Sequence, residues 1–321
     1  MLVEVGCDLC GSAGGEVLYP ATIDPQAADP ARYFSTGREL AGHLRIVRCE
    51  TCGLVRSSPR DDEETLRRVY SRLADRAYEG EERNRQATSA EHLAFVQRHQ
   101  PVRGRLLDVG CATGIFLAGA AVQGWRVSGL EPSSWSLSQA RRRLPDVALH
   151  QGSVGDADLP AERYDVITLW DVLEHVASPV ATLEQLQRWL QPGGWLFLNV
   201  PDVASWPARL MARRWVLLLR EHLWYFSPST MAGLLRRSGF EMTAARPNWV
   251  RFSLANVLLR LRQYPGLARG LAARLGRLGA LGNLSIKFPM GEMTVAARKL
   301  ASGGSGPGST RSSRLPAFLP T

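Results

Sequence analysis

From Arg105 onward the chain alternates short apolar runs with segments in which apolar residues recur every three or four positions. The runs RLLDVG (105–110), WRVSGLEP (125–132), VALHQG (147–152), YDVITLWD (164–171) and GGWLFLNVP (193–201) read as buried strands. GIFLAGAAVQG (114–124) and SSWSLSQARRRL (133–144) read as the helices between the first three. Strict alternation of this kind predicts βαβ units and a Rossmann-like α/β fold with a doubly wound sheet. Ligands of such sheets sit beyond the carboxyl ends of the strands.

The flanks carry other patterns. DDEETLRRVYSRL (61–73) opens on Asp61, Asp62, Glu63 and Glu64, acids that favour a helix N-terminus, and Leu66, Val69, Tyr70 and Leu73 follow at helical spacing. EGEERNRQATS (79–89) is polar throughout and is expected to be mobile, with a second helix only from AEHLAFVQRH (90–99). In SPSTMAGLLRRSGF (227–240), Ser227 before Pro228 predicts an N-cap, Leu234 and Leu235 a buried face, and Gly239 the stop. EMTAARP (241–247) and GEMTVAARK (291–299) read as the last two strands.

Between those strands, Leu267, Leu271, Leu275, Leu278 and Leu281 fall on one helical stripe among arginines. That insert suits an anionic membrane surface, a cap over a cleft, or packing on the core. The Gly/Ser/Pro-rich tail is expected to be disordered. The expected division is a metal-binding module (1–60), a helical linker or lid (61–102), the α/β core (103–250), the basic insert (251–286), a final core strand (287–300) and the tail (301–321).

Two cysteine pairs, Cys7-x2-Cys10 and Cys49-x2-Cys52, change the picture of the N-terminus. Their spacing suits four thiolates around one structural Zn²⁺ in a small ribbon; two separate reduced pairs and a redox disulfide are the alternatives. Gly11 and Gly53 follow the pairs, as knuckle turns favour. The flank HLRIVRCETCGLVR (43–56) alternates like a ribbon strand.

The 321 residues carry a net charge of +9. Residues 251–321 hold eleven Lys or Arg against one acid, Glu292, a net of +10 that leaves −1 for residues 1–250. The basic excess therefore belongs to the C-terminal segment and not to the α/β core. The opening MLVEVGCDLC lacks the regions of a signal peptide, and no apolar run reaches the roughly 18 residues of a spanning helix. A cytoplasmic protein is expected, with peripheral contact to the inner membrane face through the insert as one option.

Chemistry enters at DVGCATG (108–114), a glycine turn between the first strand and first helix, where helix N-terminal amides can face a ligand. Glu131 ends the next strand, about 20 residues on, where a carboxylate would hold a ribose diol. LLDVGCATGIFL, GLEPS, YDVITLWDVLEHV and LQPGGWLFLNVPD, in that order, resemble the successive motifs of class I S-adenosylmethionine-dependent methyltransferases over roughly residues 103–202. The resemblance implies an antiparallel last strand and S-adenosylmethionine as cofactor. It implies that Asp108, Gly110, Cys111 and Gly114 wrap the methionine part, and that Glu131, followed by Pro132, takes the ribose. Gly152 and Ser153 would border the adenine, with Trp170, Asp171 and Val172 opposite. For Cys111 a small side chain packed inside the loop is the simpler reading.

The cysteine module together with EHLWYFSPSTMAGLLRRSGF (221–240) resembles zinc-containing methyltransferases that act on sugars and related metabolites. This resemblance implies that Glu221, His222 and His175 line the reaction centre, and it differs from the sugar C-methyltransferases in having Leu219 where they carry a tyrosine and an Arg-rich tail in place of a second domain. His222 suits proton removal near neutral pH; the alternative is a polar pair that stiffens an aromatic lid. Consecutive strand residues point oppositely, so Glu221 and His222 can cooperate only on a loop or bend. The expected function is methyl transfer to carbon or oxygen of a small-molecule acceptor. A lipid-linked or nucleic-acid substrate docked by the basic segment, and a non-catalytic cofactor-binding module, are the rivals. Nucleic acid is disfavoured because positive charge does not gather near the expected site.

Overall fold

The fold was obtained as a computed structural model that describes residues 1–24, 26, 29–34, 42–74, 81–254 and 284–300. The stripe of leucines in the insert and the tail 301–321 lie outside the described residues. The N-terminal part contributes β1 (Leu2–Val3), β2 (Glu16–Tyr19), β3 (Ile46–Arg48), β4 (Val55–Ser57) and β5 (Arg60–Asp61). Helix α1 (Glu63–Arg72) is capped by the Asp62 carboxylate, which accepts from the Thr65 N–H. Helix α2 (Glu82–His99) leads into the alternating region.

There, β6 (Arg105–Val109), α3 (Ile115–Val122), β7 (Arg126–Glu131), α4 (Ser134–Arg143), β8 (Ala148–Gln151), β9 (Tyr164–Trp170) and β10 (Leu190–Pro201) follow the predicted order, with a further helix α5 (Pro179–Trp189) between β9 and β10. After α6 (Trp206–Met211) and β11 (Trp224–Tyr225), α7 (Pro228–Arg237) starts on a Ser227–Thr230 capping box and stops before Gly239, as expected. The long strands β12 (Phe240–Ser253) and β13 (Ser285–Lys299) close the core.

The main sheet runs β12-β13-β10-β9-β6-β7-β8. Strands β8, β7, β6, β9 and β10 pair in parallel, and β13 is antiparallel to both β10 and β12. Alternate residues along the central strands feed two cores: Leu107 and Ile167 pack into one, Leu106 and Val166 into the other. Both faces are thus covered, which is why these strands read as continuous apolar runs. The chain order reverses between β6 and β9, so the crevice for a ligand opens at their carboxyl ends.

Three findings depart from the sequence expectations. Residues 82–89, expected to be mobile, are the first two turns of α2. Their buried face is polar and therefore left no apolar period: Asn84 donates to Glu81, Ser285 donates to Asn84, and Arg143 reaches Glu82 at 2.7 Å. The β12–β13 pairing extends to Ser253↔Ser285, so residues 251–253 and 285–286, assigned to the insert, belong to the sheet.

The N-terminal ribbon is also not a separate body. Its sheet, β11-β4-β3-β2, takes its edge strand from the segment that follows α6, far along the chain, with Trp224 opposite Arg56 and Tyr225 opposite Val55. Among the described residues no helix is long and apolar enough to cross a membrane.

Candidate functional site

Thirteen of the expected cofactor- and acceptor-side residues line one cavity of about 1010 Å³, at the upper end of small-molecule pockets. They are Asp108, Gly110, Cys111, Glu131, Pro132, Gly152, Ser153, Trp170, Asp171, Val172, His175, Glu221 and His222. Gly114 is the exception: a Cβ there would meet Leu144 and Ala140, so it serves the packing of α3 against α4.

At the β6 end, Asp108 is 2% exposed and accepts from the Thr168 hydroxyl of β9 at 2.6 Å. Burial pushes its carboxyl up to about 7; the Thr168 hydrogen bond opposes that shift and the Glu131 charge adds to it. Gly110 sits at φ 72°, and a Cβ there would overlap Cγ2 of Val172. Gly110→Ala is therefore expected to cost more than the roughly 1–2 kcal/mol of left-handed strain alone, read as a lower thermal midpoint.

Glu131 is held by two backbone N–H groups, from Ala112 at 2.9 Å and Ser133 at 2.8 Å. Burial raises its pKa while those two donors pull it back. The Cys111 thiol is buried, its sulfur lies against Gly129, and burial followed by the Asp108 and Glu131 charges pushes it well above the usual thiol range. A thiol so placed suits packing inside the loop better than nucleophilic attack.

The opposite wall comes from α2. Arg85, Thr88, Ser89 and His92 recur at helical spacing along the cavity, so the segment that looked featureless supplies part of the site. His92 stacks on Trp170 with ring centroids 4.1 Å apart, and burial lowers its pKa to about 4, so it is neutral. Its Nε2 meets Asn248 Oδ1 at 3.4 Å, and the Asn248 amide donates to Glu292 at 2.8 Å. Asn199 donates both to Glu292 at 3.1 Å and to Asp171, which the end of β9 holds at φ 58°. This floor joins β9, β10, β13 and β12. Sequence reasoning missed Asn199, Asn248 and Glu292, because only the antiparallel register sets Glu292 opposite Pro201 and Asn248.

At the acceptor end, residues 219–223 form a turn, with the His222 N–H on the Leu219 carbonyl at 3.2 Å. The bend that Glu221 and His222 need is present. His222 Nδ1 lies 2.8 Å from the Leu217 carbonyl, and His175 Nδ1 lies 2.8 Å from the Glu221 carbonyl and 2.9 Å from the Tyr70 hydroxyl. A carbonyl can only accept, so in both rings Nδ1 carries a proton. Trp224, Tyr225 and Phe226 are all buried and pack beneath this turn.

Arg220, just before the pair, makes two hydrogen bonds to Asp61 at 2.8 and 2.9 Å, both side chains almost fully buried. The residue that fixes the acceptor-end turn thus comes from the N-terminal part. In the N-terminal part the four cysteines converge: Cys7 Sγ lies 3.4 Å from Cys52 Sγ, Cys10 Sγ 3.5 Å from Cys49 Sγ, and all four lie within 4.8 Å of one another. The two turns repeat one pattern, with the Gly11 and Gly53 N–H groups donating to the Cys7 and Cys49 carbonyls. Four sulfurs at about 2.3 Å from one tetrahedral ion sit about 3.8 Å apart, so the donor set and its spacing fit Zn²⁺.

Residues 60–245 match the sequence profile described as a methyltransferase domain. A ubiquinone biosynthesis O-methyltransferase of Nitrosospira multiformis is 29% identical over 165 residues, 47% of this chain and 68% of that protein. A dTDP-3-amino-3,6-dideoxy-alpha-D-glucopyranose N,N-dimethyltransferase of Streptomyces fradiae is 35% identical over 126 residues, 38% of this chain and about half, 49%, of that protein. Among solved structures, a S-adenosylmethionine-dependent methyltransferase from Mesorhizobium loti aligns at TM-score 0.42 and 21% identity, covering 62% of this chain and 92% of that one.

Proposed function

The chain belongs to the methyltransferase domain family, and from that premise we propose that it transfers a methyl group from S-adenosylmethionine to a carbon or oxygen of a small molecule, a sugar, glycoconjugate or related metabolite. The reading rests on one observation above the others: a single cavity runs from Asp108 and Glu131 to Glu221 and His222. Its volume suits a cofactor and an acceptor side by side. Two similar proteins named for a ubiquinone-pathway and an amino-sugar reaction support a small-molecule acceptor.

S-adenosylmethionine supplies an activated sulfonium methyl group when bound. In this reading the Asp108 carboxylate and the turn at Gly110 hold its methionine end, Glu131 its ribose, and Gly152 and Ser153 its adenine. The walls would hold the acceptor in line with the activated methyl group, the arrangement that transfer requires. His222 Nε2 takes the acceptor's proton, while His175 and Glu221 hold and orient the turn. The four cysteines hold a structural Zn²⁺, since a full thiolate set leaves no open position for chemistry.

Asp108 gives this reading a pH signature. Its folded carboxyl titrates at about 7, above the usual 3.8, so in the free protein it gains its proton as pH falls through 7. The cationic amine of the methionine end favours the ionised form. Affinity for S-adenosylmethionine is therefore expected to rise with pH up to about 7 and then level off, by at most about tenfold per pH unit. Calorimetric titration between pH 5.5 and 8.5 measures this, and Asp108→Asn should give a flat, weaker profile.

The substrate class is tested by transfer of labelled methyl into a host extract divided into aqueous, lipid and nucleic-acid fractions. Label in the aqueous fraction supports the proposal; label confined to lipid or nucleic acid overturns the acceptor class.

A further inference from the structure

We propose that helix α6 (Trp206–Met211) and the arginines around it form a docking surface for an anionic phospholipid membrane. The sequence there is biased: from Val203 to Arg220 the chain carries four arginines and no acid. Arg220 is held inside the protein by Asp61, which leaves Arg209, Arg213 and Arg214, all exposed. Arg209 acts on the Asp202 carboxylate, and among the described residues Arg213 and Arg214 make no ion pair.

Packing decides which side of the helix faces out. Ser205 caps it by accepting from the Ala208 N–H, and Pro207 and Ala208 are buried. Ala208 joins Trp215, Leu217, Phe252 and Met290 in one apolar cluster, and the last three also line the cavity. With that side turned inward, Trp206 and Leu210, one turn apart, are left 63% and 77% exposed. Single exposed apolar residues are ordinary, but an indole and an isobutyl group side by side on one helical face mark an interaction site.

Charge decides between occupants. A second copy of this chain would set the same arginines against each other across a two-fold axis. Nucleic acid would use the arginines and has no need of the leucine. A phospholipid surface uses every part: the indole suits the headgroup level, the leucine inserts below it, and the guanidinium groups meet phosphate. The chain's net charge of +9 favours approach to the same surface. An apolar contact this small binds weakly alone, so docking should be reversible and should need both the apolar pair and the charges.

The test is flotation of the full-length protein with vesicles of phosphatidylcholine, alone or mixed with phosphatidylglycerol. The wild type is expected to float with the mixed vesicles only and to be released by salt. Arg213→Ala combined with Arg214→Ala should weaken partition by about fivefold per arginine. Trp206→Ser combined with Leu210→Ser should weaken it by at least about tenfold. Trp206→Phe keeps an apolar ring and should float, without the blue shift of tryptophan emission that the wild type shows on vesicles.

These positions are exposed, so thermal midpoints should not move; where one pair of replacements does disturb folding, the other pair decides. Failure of the wild type to float would overturn the proposal, whether the helix then proves to bind a second copy or the arginines nucleic acid. Both pairs floating as well as the wild type would overturn it too, since another segment would then hold the membrane. Flotation requires neither S-adenosylmethionine nor an acceptor, so the docking surface and the methyl-transfer reading can fail separately.

Discussion

Asp61→Ala is expected to lower stability by about 3–5 kcal/mol, the cost of leaving a buried charge without its partner. Arg220 and Asp61 are 2% and 3% exposed at their side chains and share two hydrogen bonds. The Tyr33 ring, 5.2 Å from the guanidinium carbon, offers only a weak substitute for the carboxylate. Chemical denaturation should show the midpoint falling with little change in slope.

Methyl transfer should fall as well, because Arg220 anchors the turn that carries Glu221 and His222. The double replacement Asp61→Leu with Arg220→Met removes both charges and should recover most of the stability. It should not recover turnover to the same extent, since packing alone does not fix the turn. Wild-type stability in Asp61→Ala would mean that the pair contributes nothing despite its burial.

His222→Ala is expected to reduce turnover by about 10²–10⁴-fold, the range of a positioned general base, with affinity for S-adenosylmethionine nearly intact. The separation follows from geometry. Asp108, Gly110 and Glu131 belong to the β6 and β7 ends, whereas His222 belongs to the turn before β11. Equal turnover in variant and wild type would remove His222 from the chemistry and leave the alternative of a stiffening pair beneath an aromatic wall.

Chelation should connect the two effects. The strand that follows His222 is an edge strand of the cysteine ribbon, and the Ser57 N–H donates to the Leu223 carbonyl at 2.9 Å. Loss of a structural ion would therefore loosen the acceptor end before the β6–β7 end.

The sequence by itself determined what depends on local periodicity and local turn chemistry. The strands from Arg105 to Pro201 read as apolar runs because both sheet faces are covered, and the turn after β6 announced itself through its glycines. The four cysteines were legible because a two-residue spacer suffices to aim two sulfurs together.

Helix α2 was not legible over 82–89, because its inner face is polar and finds its partners on β13 and α4 instead of in an apolar stripe. Only the tertiary structure decided the acceptor end. Asp61 and Arg220 are 159 positions apart, Tyr70 and His175 105 apart, and the Asn199–Glu292 contact spans 93. No local pattern encodes such pairs. They arise because the antiparallel pair β12–β13 and the borrowed strand β11 bring distant polar groups together in a low-dielectric interior, where each must find a partner or bear the cost of its burial.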